Sequence, residues 1–151
     1  MSAVELKRFA LLGELSEEER ELVAEELEPA TLREGDRLFT EGEESHGLVL
    51  VVEGRFRLES RRVGVLGTAH PGQALGAASL VAIGPREASA VAETTSRVLL
   101  LRRSAFRRLA LDAPGAACRL AEAVAAELAA LVRAELDTIA QQPVDRSEGE
   151  A

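Results

Sequence analysis

The spacing of apolar residues changes twice along the chain. Up to about residue 28 they recur at helical intervals, from about 30 to 103 they form short runs separated by glycine, and after 103 the helical spacing returns. Helical spacing places apolar side chains on one face of an α-helix, whereas short runs between glycines are typical of strands. The pattern therefore predicts a central antiparallel β structure between two helical segments.

The N-terminal segment predicts two helices. Ser16 is followed three residues later by Glu19, which is the pattern of a capping box. The helix that begins there is predicted to run to about Glu28 and to end at Pro29, because proline does not continue a helix. A shorter helix is predicted upstream from five apolar residues: Val4, Leu6, Phe9, Leu11 and Leu12.

The central segment predicts an antiparallel jelly-roll-like β-barrel of about eight strands. The run from Leu48 to Val52 has no polar alternation, so this strand is expected at the centre of the core. With the flanking N-terminal helices and a long C-terminal helix, the predicted fold class is α+β. The candidate strands are Ala30–Arg33, Arg37–Thr40, Gly47–Val52, Arg55–Ser60, Val63–Thr68, Ser89–Glu93 and Arg97–Leu101.

The C-terminal segment predicts a short helix capped by Ser104 and then a long helix to about Ala140. At about 25 residues the long helix spans about 37 Å, more than the width of a small barrel. Part of its apolar stripe should therefore project beyond the domain, which predicts a homodimer through the 115–140 helix. The stripe consists of Leu120, Val124, Leu128, Leu131, Leu136 and Ile139.

Length and charge narrow the classes of function. The 151 residues predict one domain over 1–140, followed by a flexible acidic tail over 141–151. The net charge of −8 opposes binding to nucleic acid, whose affinity for proteins depends on Lys and Arg. No stretch has the length of a membrane span and no secretory signal is recognisable, so a cytoplasmic protein is expected. All basic residues except Lys7 are Arg, which indicates a GC-rich bacterial genome.

Residue types also argue against several chemistries. Cys118 is the single cysteine, which excludes an internal disulfide, and its helical context predicts a buried position. His46 and His70 do not form a metal-binding pattern, and each is expected in a solvated loop. No motif of a hydrolase, a phosphate-binding loop or a dinucleotide-binding fold occurs. We therefore predict no catalysis, no metal and no cofactor.

Residues 75–89, which we call the cassette, carry a candidate anion site. Gly76 opens a short apolar helical turn in the middle of the predicted barrel. Free backbone N–H groups around Ala77 and Ala78 at the start of this turn can bind a phosphate. The guanidinium of Arg86 would donate charged, paired hydrogen bonds to the phosphate, and Ser89 would add a hydroxyl donor.

Over about residues 10–140 the chain resembles the cyclic nucleotide-binding domain family. The resemblance rests on the cassette and on several turns: Glu34-Gly35-Asp36, Glu41-Gly42-Glu43, Gly54, Pro71-Gly72 and Arg86-Glu87-Ala88-Ser89. It implies that Gly76, Ala77, Ala78 and Arg86 hold the phosphate of cyclic AMP or cyclic GMP and that Ser89 assists.

One position departs from the family pattern. Ligand-binding members have an acidic residue after the cassette glycine that accepts a hydrogen bond from the ribose 2′-hydroxyl, whereas this chain has Ala77. The loss of a charged acceptor costs about 1.5–3 kcal/mol, which is about ten- to a hundredfold in affinity. Glu87 also brings a negative charge beside Arg86, unless it points to the other face of the strand.

Two functions remain open from the sequence. The first is a non-catalytic regulatory domain that binds a cyclic nucleotide and acts through contacts with an unidentified protein. The second is a dimerisation or scaffold module that no longer binds the nucleotide, in which Arg86 pairs with Glu87, Glu53 or another acidic residue and Ser89 is an ordinary strand residue. Only 11 residues follow Ala140, too few for a helix-turn-helix, so the chain is not expected to be a DNA-binding activator itself.

A basic cluster at residues 102–108 also has two interpretations. It could bind an acidic partner or present Ser104 to a kinase. Alternatively, it is a solvated corner between a strand and a helix, with Leu101, Phe106 and Leu109 facing inward.

Overall fold

In the computed structural model, which describes residues 3–141, two four-stranded antiparallel sheets follow the N-terminal helices in the chain and precede the C-terminal helices. This architecture confirms the predicted α+β class. Seven predicted strands are present, with ends shifted by at most two residues, and the two-residue β6 is too short for periodicity to reveal. The strands are β1 (Glu28–Leu32), β2 (Arg37–Phe39), β3 (Gly47–Glu53), β4 (Phe56–Ser60), β5 (Gly64–Ala69), β6 (Ala74–Leu75), β7 (Ser89–Ala92) and β8 (Ser96–Arg102).

The sheets have the orders β1-β8-β3-β6 and β2-β7-β4-β5. In the first sheet, β3 pairs with β8 on one side and with β6 on the other, so it occupies an inner position. In the second, β4 lies between β7 and β5. Because β6 and β7 flank the cassette in the chain and belong to different sheets, the cassette crosses from one sheet to the other.

Strand β3 is buried from Gly47 to Val52, as its unbroken apolar sequence predicts. Leu48 and Leu50 belong to a core formed with the helices. Val49 and Val51 point to the opposite face and belong to a second core between the two sheets. Both faces of the strand are covered, which explains why its sequence does not alternate.

The helices are α1 (Ala3–Leu6), α2 (Glu17–Ala24), α3 (Arg103–Asp112) and α4 (Pro114–Gln141), with 3₁₀ turns at Ala10–Leu12 and Ala77–Leu80. The predicted capping box opens α2. Ser16 Oγ accepts a hydrogen bond from the Glu19 N–H at 3.1 Å, and Glu19 Oε1 accepts one from the Ser16 N–H at 2.9 Å.

Two predicted helix boundaries are wrong. Helix α2 ends at Ala24 and not at Glu28, and Pro29 lies inside β1 opposite Leu99. Proline is tolerated there because β1 is an edge strand, where one side of the backbone makes no ladder bonds. Ser104 does not cap α3, which begins one residue earlier with Arg102 at the N-cap position.

Helix α4 extends beyond the packed core of the domain, as the length of its apolar stripe predicts. Its first turns are buried through Ala116, Ala117, Leu120 and Val124. Further along, the side chains of Leu131, Val132, Leu136 and Ile139 are 58–62% exposed. Cys118 is exposed and not buried as predicted, because it lies beside this stripe rather than on it.

Within residues 3–141, no helix is long and apolar enough to cross a membrane. The predicted acidic tail lies, apart from Gln141, outside the described residues.

Candidate ligand site at the cassette

Gly76 joins β6 to the 3₁₀ turn Ala77–Leu80, which we call the cassette helix. Its φ is +72°, a left-handed conformation that favours glycine. A Cβ at this position would also overlap Nη1 of Arg86 and lie 3.3 Å from the carbonyl oxygen of Gly47. Glycine is therefore needed here both for the turn and for the close approach of the Arg86 guanidinium.

The Arg86 side chain is held between the cassette helix and Gly47, the first residue of β3. Its Nη2 donates to the carbonyl oxygen of Gly47 at 3.1 Å, and its Nη1 donates to Ser79 Oγ at 3.4 Å. The guanidinium carbon lies 4.2 Å from the centroid of the Phe39 ring. The Arg86 N–H also donates to the Glu43 carbonyl oxygen at 2.7 Å, so backbone and side chain are both positioned.

Within residues 3–141 the half-buried guanidinium of Arg86 has no carboxylate partner, since none of the ion pairs there includes it. Neither Glu53 nor Glu87 pairs with Arg86 in the part of the chain that the structure describes: Glu53 binds Arg97 at 2.8 Å, and none of the ion pairs there includes Glu87. Burial, reinforced by the charge of Arg103 and opposed by Glu43, lowers the pKa of Arg86. Its surroundings thus disfavour the positive charge and would favour a bound anion.

The cassette lines a cavity of about 480 Å³ that also contacts α4. Gly76, Ala78 and Arg86 lie on its wall, together with Leu58 of β4 and Leu128 of α4. Ala77 is buried beside the cavity without lining it. Ser89 is likewise buried in β7, where its Oγ accepts a hydrogen bond from the Glu41 N–H at 2.8 Å. The structure thus brings three of the five predicted residues to one cavity.

A polar network not predicted from sequence connects the cassette helix to α3. The hydroxyls of Ser45 and Ser79 lie 2.5 Å apart, and Ser79 also accepts from Arg86. Arg103, the first residue of α3, donates to the carbonyl oxygens of Ser79 at 2.9 Å, Ser45 at 2.7 Å and Ala82 at 3.1 Å. One side chain therefore joins the cassette, the loop before β3 and α3.

The other arginines of the cluster at residues 102–108 agree with its second interpretation, a solvated corner between a strand and a helix. Arg102 pairs with Glu28 at 3.0 Å, and Arg108 pairs with Glu26 at 3.1 Å. Leu101 and Leu109 are buried beneath them. The basic cluster at residues 102–108 was recognisable in the sequence, but no pattern there distinguishes Arg103 from the neighbouring arginines.

Glu127 on α4 is the second functional candidate that sequence analysis missed. It lines a cavity of about 340 Å³ that shares Leu58 and Leu75 with the cassette cavity. Its Oε2 is buried and has no hydrogen-bond partner among the described residues. Burial raises the pKa of Glu127. A signal was available, because Glu127 lies three residues after Val124 and four before Leu131, inside the apolar stripe.

The histidines and acidic residues offer no metal site within residues 3–141, where no group of three or more metal-binding side chains occurs. His46 and His70 are exposed, as predicted, and His70 Nε2 lies 2.9 Å from Thr68 Oγ1.

The two antiparallel sheets are joined by the cassette, and α3 and α4 both pack against the cassette helix. The family model of the cyclic nucleotide-binding domain matches residues 29–113, which is more than half of the chain. The chain therefore belongs to the cyclic nucleotide-binding domain family, and the resemblance identified from its motifs is confirmed.

Known proteins agree with this assignment. The cAMP-dependent protein kinase regulatory subunit of Eremothecium gossypii is 32% identical over 104 residues, which cover 69% of this chain and 23% of that protein. The chain thus matches about a quarter of the length of this curated relative.

Two solved structures share the fold. The N-terminal domain of a transcriptional regulator from Streptomyces coelicolor A3(2) has a TM-score of 0.76 and 30% identity, covering 87% of this chain and 94% of that one. The Thermus thermophilus Catabolite Activator Protein has a TM-score of 0.74 and 30% identity, covering 87% and 63%.

Proposed function

We propose that this domain binds cyclic AMP or cyclic GMP through Arg86 and regulates a partner protein through α3 and α4. The observation that carries the proposal is the half-buried Arg86 guanidinium, which faces the cassette cavity without a carboxylate partner among the described residues. A buried charge without a counter-ion costs free energy, and a phosphate that forms charge-assisted hydrogen bonds would offset this cost.

Backbone donors complete the proposed phosphate site. Ala77 and Ala78 begin the cassette helix, and N–H groups in a first helical turn have no acceptor within the helix. We assign them, with Gly76, to the phosphate oxygens. The Ser89 hydroxyl accepts from Glu41 and keeps its own proton to donate, which is consistent with an assisting role.

The proposed signal passes from the cassette to the C-terminal helices. Arg86 and Arg103 both bind Ser79, so a ligand that moves the Arg86 side chain acts on the residue to which α3 is attached. A shift of the cassette helix would then move α3, and α4 with it. The net charge of −8 favours a protein over a nucleic acid as the recipient of this signal.

A second candidate function is a scaffold that dimerises without ligand. It is supported by the exposed apolar stripe of α4 and by the Arg86 hydrogen bonds to Gly47 and Ser79, which already satisfy part of the guanidinium. In both functions we propose that the 115–140 helix forms a homodimer, because a second copy would cover the exposed stripe.

Calorimetric titration with cyclic AMP and cyclic GMP tests the proposed ligand. We expect binding in the micromolar range, weakened about ten- to a hundredfold by Arg86→Ala, which removes a charged donor worth about 1.5–3 kcal/mol. Arg62→Ala, at an exposed turn between β4 and β5, is the matched control and should leave the affinity unchanged.

Circular dichroism and thermal unfolding establish that each variant is folded. The absence of both binding heat and a thermal shift with either nucleotide would contradict the ligand-gated function and leave the scaffold.

A further inference from the structure

Phe39, the last residue of β2, stacks on the side chain of Arg86. The guanidinium carbon of Arg86 lies over the ring, 4.2 Å from its centroid. The face of an aromatic ring carries partial negative charge and attracts a cation above it, most strongly where water is excluded. Because the guanidinium is half-buried, this contact stabilises its charge more than it would at an exposed site.

Backbone pairing fixes both partners of this contact. Phe39 lies opposite Ala90 in the antiparallel pair of β2 and β7. The pairing continues past the end of β2, since the Gly42 N–H donates to the Arg86 carbonyl oxygen at 2.8 Å. The Arg86 N–H in turn donates to the Glu43 carbonyl oxygen at 2.7 Å. The ring of Phe39 and the backbone of Arg86 are therefore held beside each other by hydrogen bonds of the same two segments.

Stacking leaves hydrogen-bond donors of Arg86 accessible. The five N–H groups of a guanidinium lie along the edge of its plane, whereas the ring of Phe39 contacts its face. Within residues 3–141 the side chain donates to Gly47 and Ser79, which uses two of these groups. The other edge donors can bind phosphate oxygens while the ring stays in place.

A carboxylate partner would have the opposite effect, because a bidentate ion pair occupies the edge donors and neutralises the charge. Glu43, Glu44 and Glu87 line cavities together with Arg86. None of them forms an ion pair with it in the described part of the chain. The ring of Phe39 thus stabilises the guanidinium without a counter-ion and leaves it available to an anion.

We propose that Phe39 is a positioning residue for the ligand phosphate: it holds the Arg86 guanidinium by its face and leaves edge donors free to bind. This inference rests on the proposed function, because it concerns the same phosphate site. Phe39 and Arg86 line the cassette cavity together, so the guanidinium is held at the wall where the phosphate would bind. Phe39 then raises the affinity for the nucleotide through Arg86 and not through its own apolar surface.

Fluorinated phenylalanines at position 39 test this proposal by calorimetry with cyclic AMP and cyclic GMP. Fluorine withdraws negative charge from the face of the ring and preserves its shape and apolar character. We expect the affinity to fall stepwise with one, two and three ring fluorines, by about two- to thirtyfold over the series, which is the range of a cation–π contact. The same series at Phe106 is the matched control and should leave the affinity unchanged. Phe106 packs against the core, and within residues 3–141 no cation lies over its ring.

A double-mutant cycle tests whether Phe39 acts through Arg86. Phe39→Leu keeps an apolar side chain without the ring and should weaken binding by about two- to thirtyfold, whereas Phe39→Tyr keeps an aromatic face and should retain the affinity. In the Arg86→Ala background, Phe39→Leu should have no further effect, because the guanidinium that the ring holds is absent. An equal effect in both backgrounds would show direct contact between the ring and the nucleotide and would overturn the positioning role.

Failure of the inference differs from failure of the proposed function. If a nucleotide binds in an Arg86-dependent way and its affinity is the same across the fluorinated series, the inference is overturned and the proposed function stands. If neither nucleotide binds the wild type, both are overturned. Circular dichroism checks the folding of each variant, and the fluorinated series decides the inference even where Phe39→Leu does not fold.

Discussion

Two charged side chains, Arg86 and Glu127, face adjoining cavities and differ in how they respond to burial. Burial lowers the pKa of Arg86, but a guanidinium remains protonated throughout the range in which proteins are stable. Burial raises the pKa of Glu127, and the ordinary pKa of a carboxyl group lies only about three units below neutrality. Glu127 is therefore the one of the two whose charge depends on pH under ordinary conditions.

The sign of this dependence follows from linkage. The folded-state pKa of Glu127 is higher than its unfolded-state value, so folding favours the protonated form. Its contribution to stability is complete below the unfolded pKa, about 4.3, and is lost as the pH rises through the folded pKa. At pH 7, well above the unfolded pKa, the burial of this carboxyl group thus destabilises the folded domain.

We expect Glu127→Gln to raise the melting temperature at pH 7, because the substitution removes the charge and keeps the shape of the side chain. The difference from the wild type should shrink toward pH 4, where the carboxyl group is protonated. Thermal unfolding of both proteins between pH 4 and 8 measures this. Glu135→Gln, on the exposed part of α4, should produce no such difference. A Glu127→Gln variant no more stable than the wild type at pH 7 would contradict the assignment of a destabilising charge.

At the scale of single residues, Arg86 was predictable from the sequence, but its environment was not. The cassette motif identifies the arginine because its neighbours in the chain are characteristic. Its hydrogen-bond partner Gly47 lies 39 residues away, and no local pattern connects the two. The predicted burial of Cys118 was wrong for another reason: it rested on the residue type and its helical context, whereas Cys118 lies beside the apolar stripe of α4 and not on it.

At the scale of elements, the connection between the cassette and α3 depends on Arg103. Its guanidinium donates to three carbonyl oxygens in two separate segments of the chain. Helix α3 has no side-chain cap at its N-terminus. Arg103, its first residue, is the one that fixes this end of the helix to the cassette and to the loop before β3. The cassette helix is a single 3₁₀ turn, too short to be stable without tertiary contacts.

We expect Arg103→Ala to lower the free energy of unfolding by about 1.5–3 kcal/mol, since it removes hydrogen bonds from a charged donor. For a domain of this size each kcal/mol corresponds to a decrease in melting temperature of about 2–4 °C. Urea and thermal unfolding measure both quantities. Arg107→Ala, an exposed substitution four residues later on α3, should change stability by less than about 0.5 kcal/mol. Equal stabilities of the two variants would contradict the anchoring role.

The elements themselves were largely predictable because their signals are local. The capping box of Ser16 and Glu19 identified the start of α2, and the unbroken apolar run identified β3 as central. The end of α2 was not predictable in this way. Residues 25–28 continue the helical spacing, but pairing of β1 with β8 brings Glu28 opposite Leu100 and takes it into the sheet.

At the scale of the whole molecule, two hydrophobic cores bury most large apolar side chains and leave one apolar stripe uncovered. One core lies between the sheets, and the other lies between the first sheet and the helices. The core between the first sheet and the helices ends near Leu128, and the stripe of α4 continues beyond it to Ile139. The domain itself contains nothing to cover this part of the helix within residues 3–141.

We expect light scattering at tens of micromolar to give a mass of twice 16.1 kDa, the value for a homodimer. Combined Leu136→Glu and Ile139→Glu substitutions should produce a monomer without loss of folding, since both side chains are exposed in the single chain. Leu111→Glu, at a side chain of α3 that is 84% exposed, is the matched control and should leave the dimer intact. A monomeric mass for the wild type would contradict the dimer.

The sequence by itself determined the classes of the elements and their order, the central position of β3, the cassette with its arginine, and the projecting stripe of α4. These properties depend on periodicity and on residues close together in the chain. The tertiary structure decided which groups meet: Arg103 binds Ser45, 58 residues away, and Glu127 shares a cavity with Leu58 and Leu75. Such contacts are set by the packing of sheets and helices against one another, and this packing leaves no local pattern in the chain.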